Sequence, residues 1–227
     1  MSQICDNLRR IRDEIHHLEA RYGRPAGSVR LLAVSKTKPV TALREALDCG
    51  QRAFGENYVQ ELAEKGAALA GEEIEWHYIG PLQSNKSRIV AETAHWMHTV
   101  DRLKIARRLS EQRPADSPPL NICIQVNISG EASKSGIELG ALPELVAAVA
   151  ALPNLRLRGL MAIPAPSADV NAQRAVFARL RQALEDEVAR GHALDTLSMG
   201  MTGDMEAAIA EGATIVRIGT AIFGARG

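Results

Sequence analysis

The sequence predicts an α/β protein: a closed (β/α)8 (TIM) barrel with one additional helix ahead of it. Two observations carry this prediction. From residue 30 onward, eight short apolar stretches alternate with helical stretches, the pattern of a parallel sheet covered by helices. Eight such units within 227 residues suit a closed barrel of about 200–250 residues better than an open doubly wound sheet. No composition shift, repeat or low-complexity tract marks a boundary, so residues 1–227 read as one barrel domain.

The opening stretch MSQICDNLRRIRDEIHHLEARYG places Ile4, Leu8, Ile11, Ile15 and Leu18 at alternating steps of four and three. This predicts a surface helix that ends near Gly23 and contains no apolar signal core. RLLAVS (30–35) is the first strand, followed by the helix TALREALDCG (41–50); RAFGE (52–56) precedes NYVQELAEKGAAL (57–69). EWHYIG (75–80) precedes QSNKSRIVAETA (83–94), and HWMHTV (95–100) precedes DRLKIARRLSEQ (101–112). NICIQVNIS (121–129) leads to ALPELVAAVAAL (141–152), and LRLRGLMAI (155–163) to the long VNAQRAVFARLRQALEDEVAR (170–190). TLSMG (196–200) precedes DMEAAIAEG (204–212), and TIVRIG (214–219) runs into a short tail. RPADSPPL (113–120) and PAPSAD (164–169) are proline-rich loops.

Basic and acidic residues balance at 27 each, so no global field draws in nucleic acid or an acidic membrane. Basic RRLSEQR (107–113) reads as a solvated helix face. The apolar runs fall far short of the roughly 20 residues of a membrane span. The three cysteines, Cys5, Cys49 and Cys123, show no CxxC spacing, which points to a reduced, cytoplasmic setting without structural zinc. Cys49 and Cys123 are expected to pack as small hydrophobes.

In such barrels chemistry gathers at the carboxyl ends of the strands. Those ends present Lys36, Glu56 with Asn57, His77, Asp101, Asn127, Met161, Ser198 with Gly200, and Arg217 with Gly219. Lys36 and Lys38 either solvate the end of the first strand, or one of them is a buried amine nucleophile. SMGMTGDM (198–205) offers the Thr202 hydroxyl, the open backbone of Gly200 and Gly203, and Asp204 where a helix N-cap would sit. RIGTAIFGARG (217–227) sets Gly219 and Thr220 directly after a strand. Backbone N–H groups and hydroxyls of this kind suit a phosphate monoester after strands seven and eight, although tight βα turns use the same glycines. Strand alternation gives Arg217 the orientation of Ile215 and Gly219, and a guanidinium there needs an acceptor. A ligand ring nitrogen, or an internal carboxylate such as Asp204 or Glu56, would serve. His77 has no second histidine or carboxylate at ligand spacing, which favours a hydrogen-bonded core histidine, and His95 and His98 fall on opposite strand faces, so no metal site is expected. Ser198 lacks the context of a hydrolase nucleophile.

A lysine after strand one, a phosphate cup after strands seven and eight, and an arginine on strand eight together form a pyridoxal-phosphate constellation. At this level the chain resembles the pyridoxal phosphate homeostasis proteins (the YggS/PROSC type) essentially from end to end. The resemblance lies in LLAVSKTKP, FGENYVQE, WHYIGPLQSNK, SKSG, LRGLMAIP, SMGMTGDMEAAI and VRIGTAIFGAR. It implies a barrel like the N-terminal domain of alanine racemase, with pyridoxal 5'-phosphate covalently bound as a Schiff base on Lys36. It further implies that Arg217 faces the pyridine nitrogen, and that Gly219, Thr220 and the Ser198–Thr202 loop (Ser198, Gly200, Thr202) hold the phosphate. Asn57 and Met161 would line the ring. Thr202 and Gly203 fall where serine is common in the family, and the hydroxyl at 202 survives.

The amine must be neutral to attack an aldehyde, a state favoured by burial and neighbouring cations. A cation at the pyridine nitrogen weakens the cofactor as an electron sink. Racemisation would need a second base, which in alanine racemase is a tyrosine from the second domain of a partner subunit. Here the barrel consumes the chain. The expectation is therefore a monomeric carrier that buffers pyridoxal phosphate for apo-enzymes without efficient turnover. The alternatives are an alanine-racemase-like amino-acid racemase, a class I aldolase-like barrel and a regulatory protein with no small ligand.

Overall fold

The computed structural model describes residues 2–130 and 135–225, so Ser133 and Lys134 of the SKSG stretch and the last two residues lie outside the described residues. Eight parallel strands close in sequence order: β1 (Arg30–Val34), β2 (Ala53–Glu56), β3 (Glu75–Tyr78), β4 (Trp96–Val100), β5 (Leu120–Gln125), β6 (Leu155–Met161), β7 (Thr196–Ser198) and β8 (Ile215–Ile218). The seam is made by β1 against β8, with Leu32 opposite Arg217 and Ala33 opposite Ile218. The helices are α1 (Gln3–Arg21), α2 (Val40–Asp48), α3 (Val59–Ala68), α4 (Ser87–Thr93), α5 (Leu103–Gln112), α6 (Leu142–Ala150), α7 (Val170–Ala189), α8 (Met205–Ala210) and α9 (Thr220–Phe223). The predicted helix over 83–94 begins as a 3-10 turn at Ser84–Lys86, and the tail expected after the last strand winds into α9.

Strand alternation divides the core in two. Leu32, Ala53, Ile79, Trp96, Cys123 and Ile215 fill the barrel interior. Phe54, Leu62, Leu109, Val146 and Phe177 belong to the larger layer between strands and helices. Each large side chain removed from water in this way contributes about 1.5–3 kcal/mol. Gly159 lies where β6 and β7 approach too closely for any side chain: an added Cβ would stand 1.8 Å from the Thr196 carbonyl oxygen.

The first helix packs along α2, α8 and α9 and covers the β8–β1 seam from outside. Asn7 donates to the Ile222 carbonyl at 2.9 Å, and buried Glu19 accepts from the Gly27 and Val29 amides at 3.0 and 2.8 Å. The Glu19 carboxylate thereby shapes the turn from α1 into β1. One expectation fails here. Cys49 is not simply a packed hydrophobe, because α1 brings Cys5 to the end of α2 and the two form a disulfide with Cα atoms 5.5 Å apart. Cys123 is fully buried as expected, and burial pushes its thiol up to about 12. No helix among the described residues is long and apolar enough to cross a membrane.

Candidate functional site

At the carboxyl end of the barrel a pocket of about 310 Å³ opens between β1, β2 and β8. It is lined by Lys36, Asn57, Thr202, Arg217, Gly219 and Thr220 among the predicted site residues, by Gly203 of the predicted glycine loop, and by Val34, Ile79, Ile163 and Met201, which the sequence reading did not single out. Val34 and Ile79 could have been found by counting two residues along a strand from Lys36 and His77, since alternate residues share a face. A hollow of about 570 Å³ lies beside Tyr58 and Lys86, but the smaller pocket is distinguished by its chemistry. Its polar lining is one amine, one guanidinium, two hydroxyls, one amide and two glycines, with no carboxylate. Such a donor set fits a phosphorylated ligand carrying an aldehyde and a ring acceptor.

Lys36 is presented by its neighbours. It follows β1 with its side chain half-buried, and Thr37 holds a left-handed φ of 63°. That conformation is uncommon for a β-branched residue. Behind the lysine, Ser35 Oγ donates to Glu56 Oε1, and the Thr37 amide donates to Glu61 Oε2 at 2.8 Å. Lys65 of α3 ties both together, donating to the Ser35 carbonyl, Glu56 Oε1 and Glu61 Oε2 at 2.8, 2.8 and 2.6 Å. Glu56 therefore points outward beneath α3, away from the pocket. Burial pushes its carboxyl up, opposed by the Lys65 and Ser35 bonds. Lys38 is engaged elsewhere, donating to the Ala225 carbonyl at 2.7 Å.

Arg217 is buried and turns inward with Ile215. Its acceptors are neither Asp204 nor Glu56. Nη1 donates to Ser198 Oγ at 2.8 Å and Nη2 to the Ala162 carbonyl at 2.9 Å. Burial lowers the guanidinium to about 10, with Asp204 opposing, and it remains a cation at neutral pH.

Three predicted residues do not line the pocket. Met161 is fully buried among the interior side chains. Ser198 is fully buried with its hydroxyl between Arg217 and His98, so its observed role runs through Arg217. Gly200 is a backbone element: its φ is 97°, its carbonyl accepts the Arg217 amide, and an added Cβ would stand 2.6 Å from the Ala208 Cβ. Asp204 does not cap α8 with its side chain; its Oδ1 accepts the Met201 amide at 2.6 Å and folds the loop that carries Thr202.

His77 is the hydrogen-bonded core histidine expected, with partners that the spacing did not offer. It has both a carboxylate and a second histidine, with Nε2 2.6 Å from Glu75 Oε1 and Nδ1 2.8 Å from His98 Nε2. Glu75 was legible two residues away on the same strand face; His98 arrives from the neighbouring strand. His95 faces away, its Nδ1 accepting the Trp76 amide. Among the described residues no three His, Cys, Asp or Glu side chains are grouped to hold a metal.

Comparison with known proteins agrees with this geometry. The family model described as alanine racemase, N-terminal domain, matches residues 7–227. A pyridoxal phosphate homeostasis protein of Pseudomonas aeruginosa is 60% identical over 226 residues, covering 100% of this chain and 97% of that protein. One from Escherichia coli K12 is 58% identical over 229 residues, covering 100% and 98%. The PipY structure of Synechococcus elongatus, with PLP bound, superimposes with a TM-score of 0.84 at 35% identity, covering 97% of this chain and 100% of that one. An alanine racemase of Clostridium difficile shares the fold at TM-score 0.72 and 15% identity; this chain covers 56% of it. The chain belongs to the pyridoxal phosphate homeostasis protein family, built on the barrel of the alanine racemase N-terminal domain.

Proposed function

We propose that the chain holds pyridoxal 5'-phosphate as a Schiff base on Lys36 and stores and releases it for apo-enzymes, without efficient turnover of a substrate. The observation that carries this reading is the carboxylate-free pocket in which Lys36 and Arg217 share a lining with Thr202, Thr220 and two glycines. When bound, pyridoxal phosphate supplies an aldehyde open to a neutral amine and a ring that withdraws electrons. Lys36 binds at the aldehyde end. Thr202, Thr220 and the backbone at Gly203 and Gly219 bind the phosphate, and Asn57, Val34 and Ile79 pack against the ring. Arg217 has no acceptor atoms, so a ring nitrogen held against it stays unprotonated and the electron sink is weak.

The chain's own tyrosines support the absence of turnover. Tyr78 is buried, donates to the Pro81 carbonyl at 2.9 Å and is pushed up to about 12 by burial. Tyr58 lines the neighbouring hollow, and Tyr22 donates to Glu206 on the outside of the barrel. None lines the pocket as a base opposite Lys36. We read the protein as one barrel domain acting as a monomer.

Borohydride reduction of protein loaded with pyridoxal phosphate, followed by peptide mass mapping, should place the label on Lys36. Lys36→Ala should lose both the label and the visible absorbance. Labelling of another lysine, or protein that stays colourless with added cofactor, would overturn the reading. Lys36-dependent exchange of an amino-acid α-hydrogen in heavy water would favour the racemase alternative.

A further inference from the structure

A line of hydrogen bonds crosses the barrel interior from its base to the pocket. At the base Glu75, the first residue of β3, pairs with Arg30 of β1 in a hollow also lined by Arg12, His16 and Arg52. Glu75 Oε1 meets His77 Nε2, and His77 Nδ1 meets His98 Nε2. His98 Nδ1 lies 2.8 Å from Ser198 Oγ, which in turn accepts Arg217 Nη1. His77, His98 and Ser198 are at most 1% exposed, so water does not complete any link.

With Glu75 ionised and both imidazoles neutral, one arrangement of protons satisfies every bond. Arg217 only donates, so Ser198 accepts from it and turns its single proton to His98 Nδ1. A neutral His98 then carries its proton on Nε2 and donates to His77 Nδ1. His77 likewise carries its proton on Nε2 and donates to the Glu75 carboxylate. The opposite polarity would set the bare Nε2 of His77 against that carboxylate, two acceptors 2.6 Å apart. Burial lowers His77, opposed by Glu75, and lowers His98 well below the usual range, which keeps both rings neutral. Although burial pushes Glu75 up, the bond from His77 and the charge of Arg30 hold it below its ordinary value, so it stays ionised.

The surrounding groups leave this order alone. Cys123 on β5 stays a thiol, and Arg158 on β6 pairs with Asp195. Asp204, the carboxylate acting on Arg217, is bonded to the Met201 amide. Trp96 stacks on His77 with ring centroids 5.4 Å apart and planes 6° from parallel, fixing the ring.

We infer that Glu75, His77, His98 and Ser198 form a proton-ordered relay that positions Arg217 toward the pocket and couples charge at the barrel's base to its mouth. A proton added at the Glu75 end removes the carboxylate constraint and allows the whole line to reverse, leaving Ser198 accepting from both His98 and Arg217. The four are positioning residues, and only the second measurement below rests on the pocket holding pyridoxal phosphate.

The first measurement is long-range 1H–15N correlation of the histidine rings in the ligand-free protein at neutral pH. His77 and His98 should both show a protonated Nε2 and a bare Nδ1, and Glu75→Gln, whose amide can also donate, should populate the Nδ1–H form of both. A protonated Nδ1 on His98 in the wild type, or a His98 tautomer indifferent to Glu75→Gln, would overturn the relay. The second measurement is the pH titration of the visible band in protein loaded with pyridoxal phosphate. Glu75→Gln should move its midpoint by about half a unit or more. His98→Gln, which keeps one acceptor and one donor, should preserve the midpoint better than His98→Leu, which keeps neither. Equal midpoints in all four proteins would overturn the coupling, whereas absence of any band would count against the pocket reading and leave the tautomer result standing.

Discussion

Replacing Lys65 by Met should destabilise the protein strongly, and the loss should depend on pH. Lys65 and Glu56 have side chains only 6% and 0% exposed, and Glu56 Oε2 already lacks a partner. Removing the ammonium leaves a buried carboxylate with the Ser35 hydroxyl as its remaining donor. Breaking a buried pair from one side costs about 3–5 kcal/mol, or about 10 °C in Tm for a chain of this size. The carboxylate can escape by protonating. Its folded pKa already lies above the ordinary 4.5, and the substitution drives it higher. A group with a raised folded pKa loses stability as pH climbs from the unfolded toward the folded value, by about 1.4 kcal/mol per pH unit. Urea unfolding of Lys65→Met should therefore show a larger penalty at pH 7.5 than at pH 5.5. The double variant Lys65→Met/Glu56→Gln should recover most of it. A penalty identical at both pH values, or a double variant no more stable than the single one, would refute a buried Glu56 charge as the cause.

The remaining predictions concern the loop and the base of the barrel. Gly200→Ala should cost about 2–4 kcal/mol in chemical denaturation, combining a left-handed φ with a Cβ driven into Ala208, and should weaken pyridoxal phosphate binding measured by absorbance. Phe177→Ala, at a fully buried position of α7, should cost about 3–5 kcal/mol with the cofactor spectrum retained at temperatures where the protein stays folded. Glu75 has a depressed folded pKa of about 2 against 4.5, so its contribution is complete above pH 4.5 and lost as pH falls toward 2. In acid titration followed by circular dichroism, Glu75→Gln should flatten that limb.

The barrel was legible because its strands are apolar on both faces and short helices separate them at regular intervals, a pattern that depends only on local sequence. Lys36, Arg217, Gly219 and Thr220 were legible for the same reason, since each lies at or just beyond a strand end. The residues that escaped depend on partners distant in the chain. Lys65, in AEKGA, has the local signature of a solvated helix lysine, and its burial follows only once α3 lies over Glu56. His98 and Ser198 meet across the barrel at a separation of 100 residues, and Cys5 meets Cys49 only because α1 runs beside α2. Ser198 is expected in the phosphate-holding loop from its position alone, and its hydroxyl instead meets Arg217 on the next strand.

The pocket straddles the place where the chain's two ends are joined. Lys36 belongs to the first strand's exit and Arg217, Gly219 and Thr220 to the last, and along that seam α1 is laced to α9 through Asn7 and Ile222. A ligand gripped by both sides is a clasp on a hoop. It resists parting of the outermost strands directly, and by mass action each molecule loaded makes the hoop harder to spring. Occupancy and cohesion would in that sense be linked, a ligand held across the seam adding to its strength and its departure taking that contribution away.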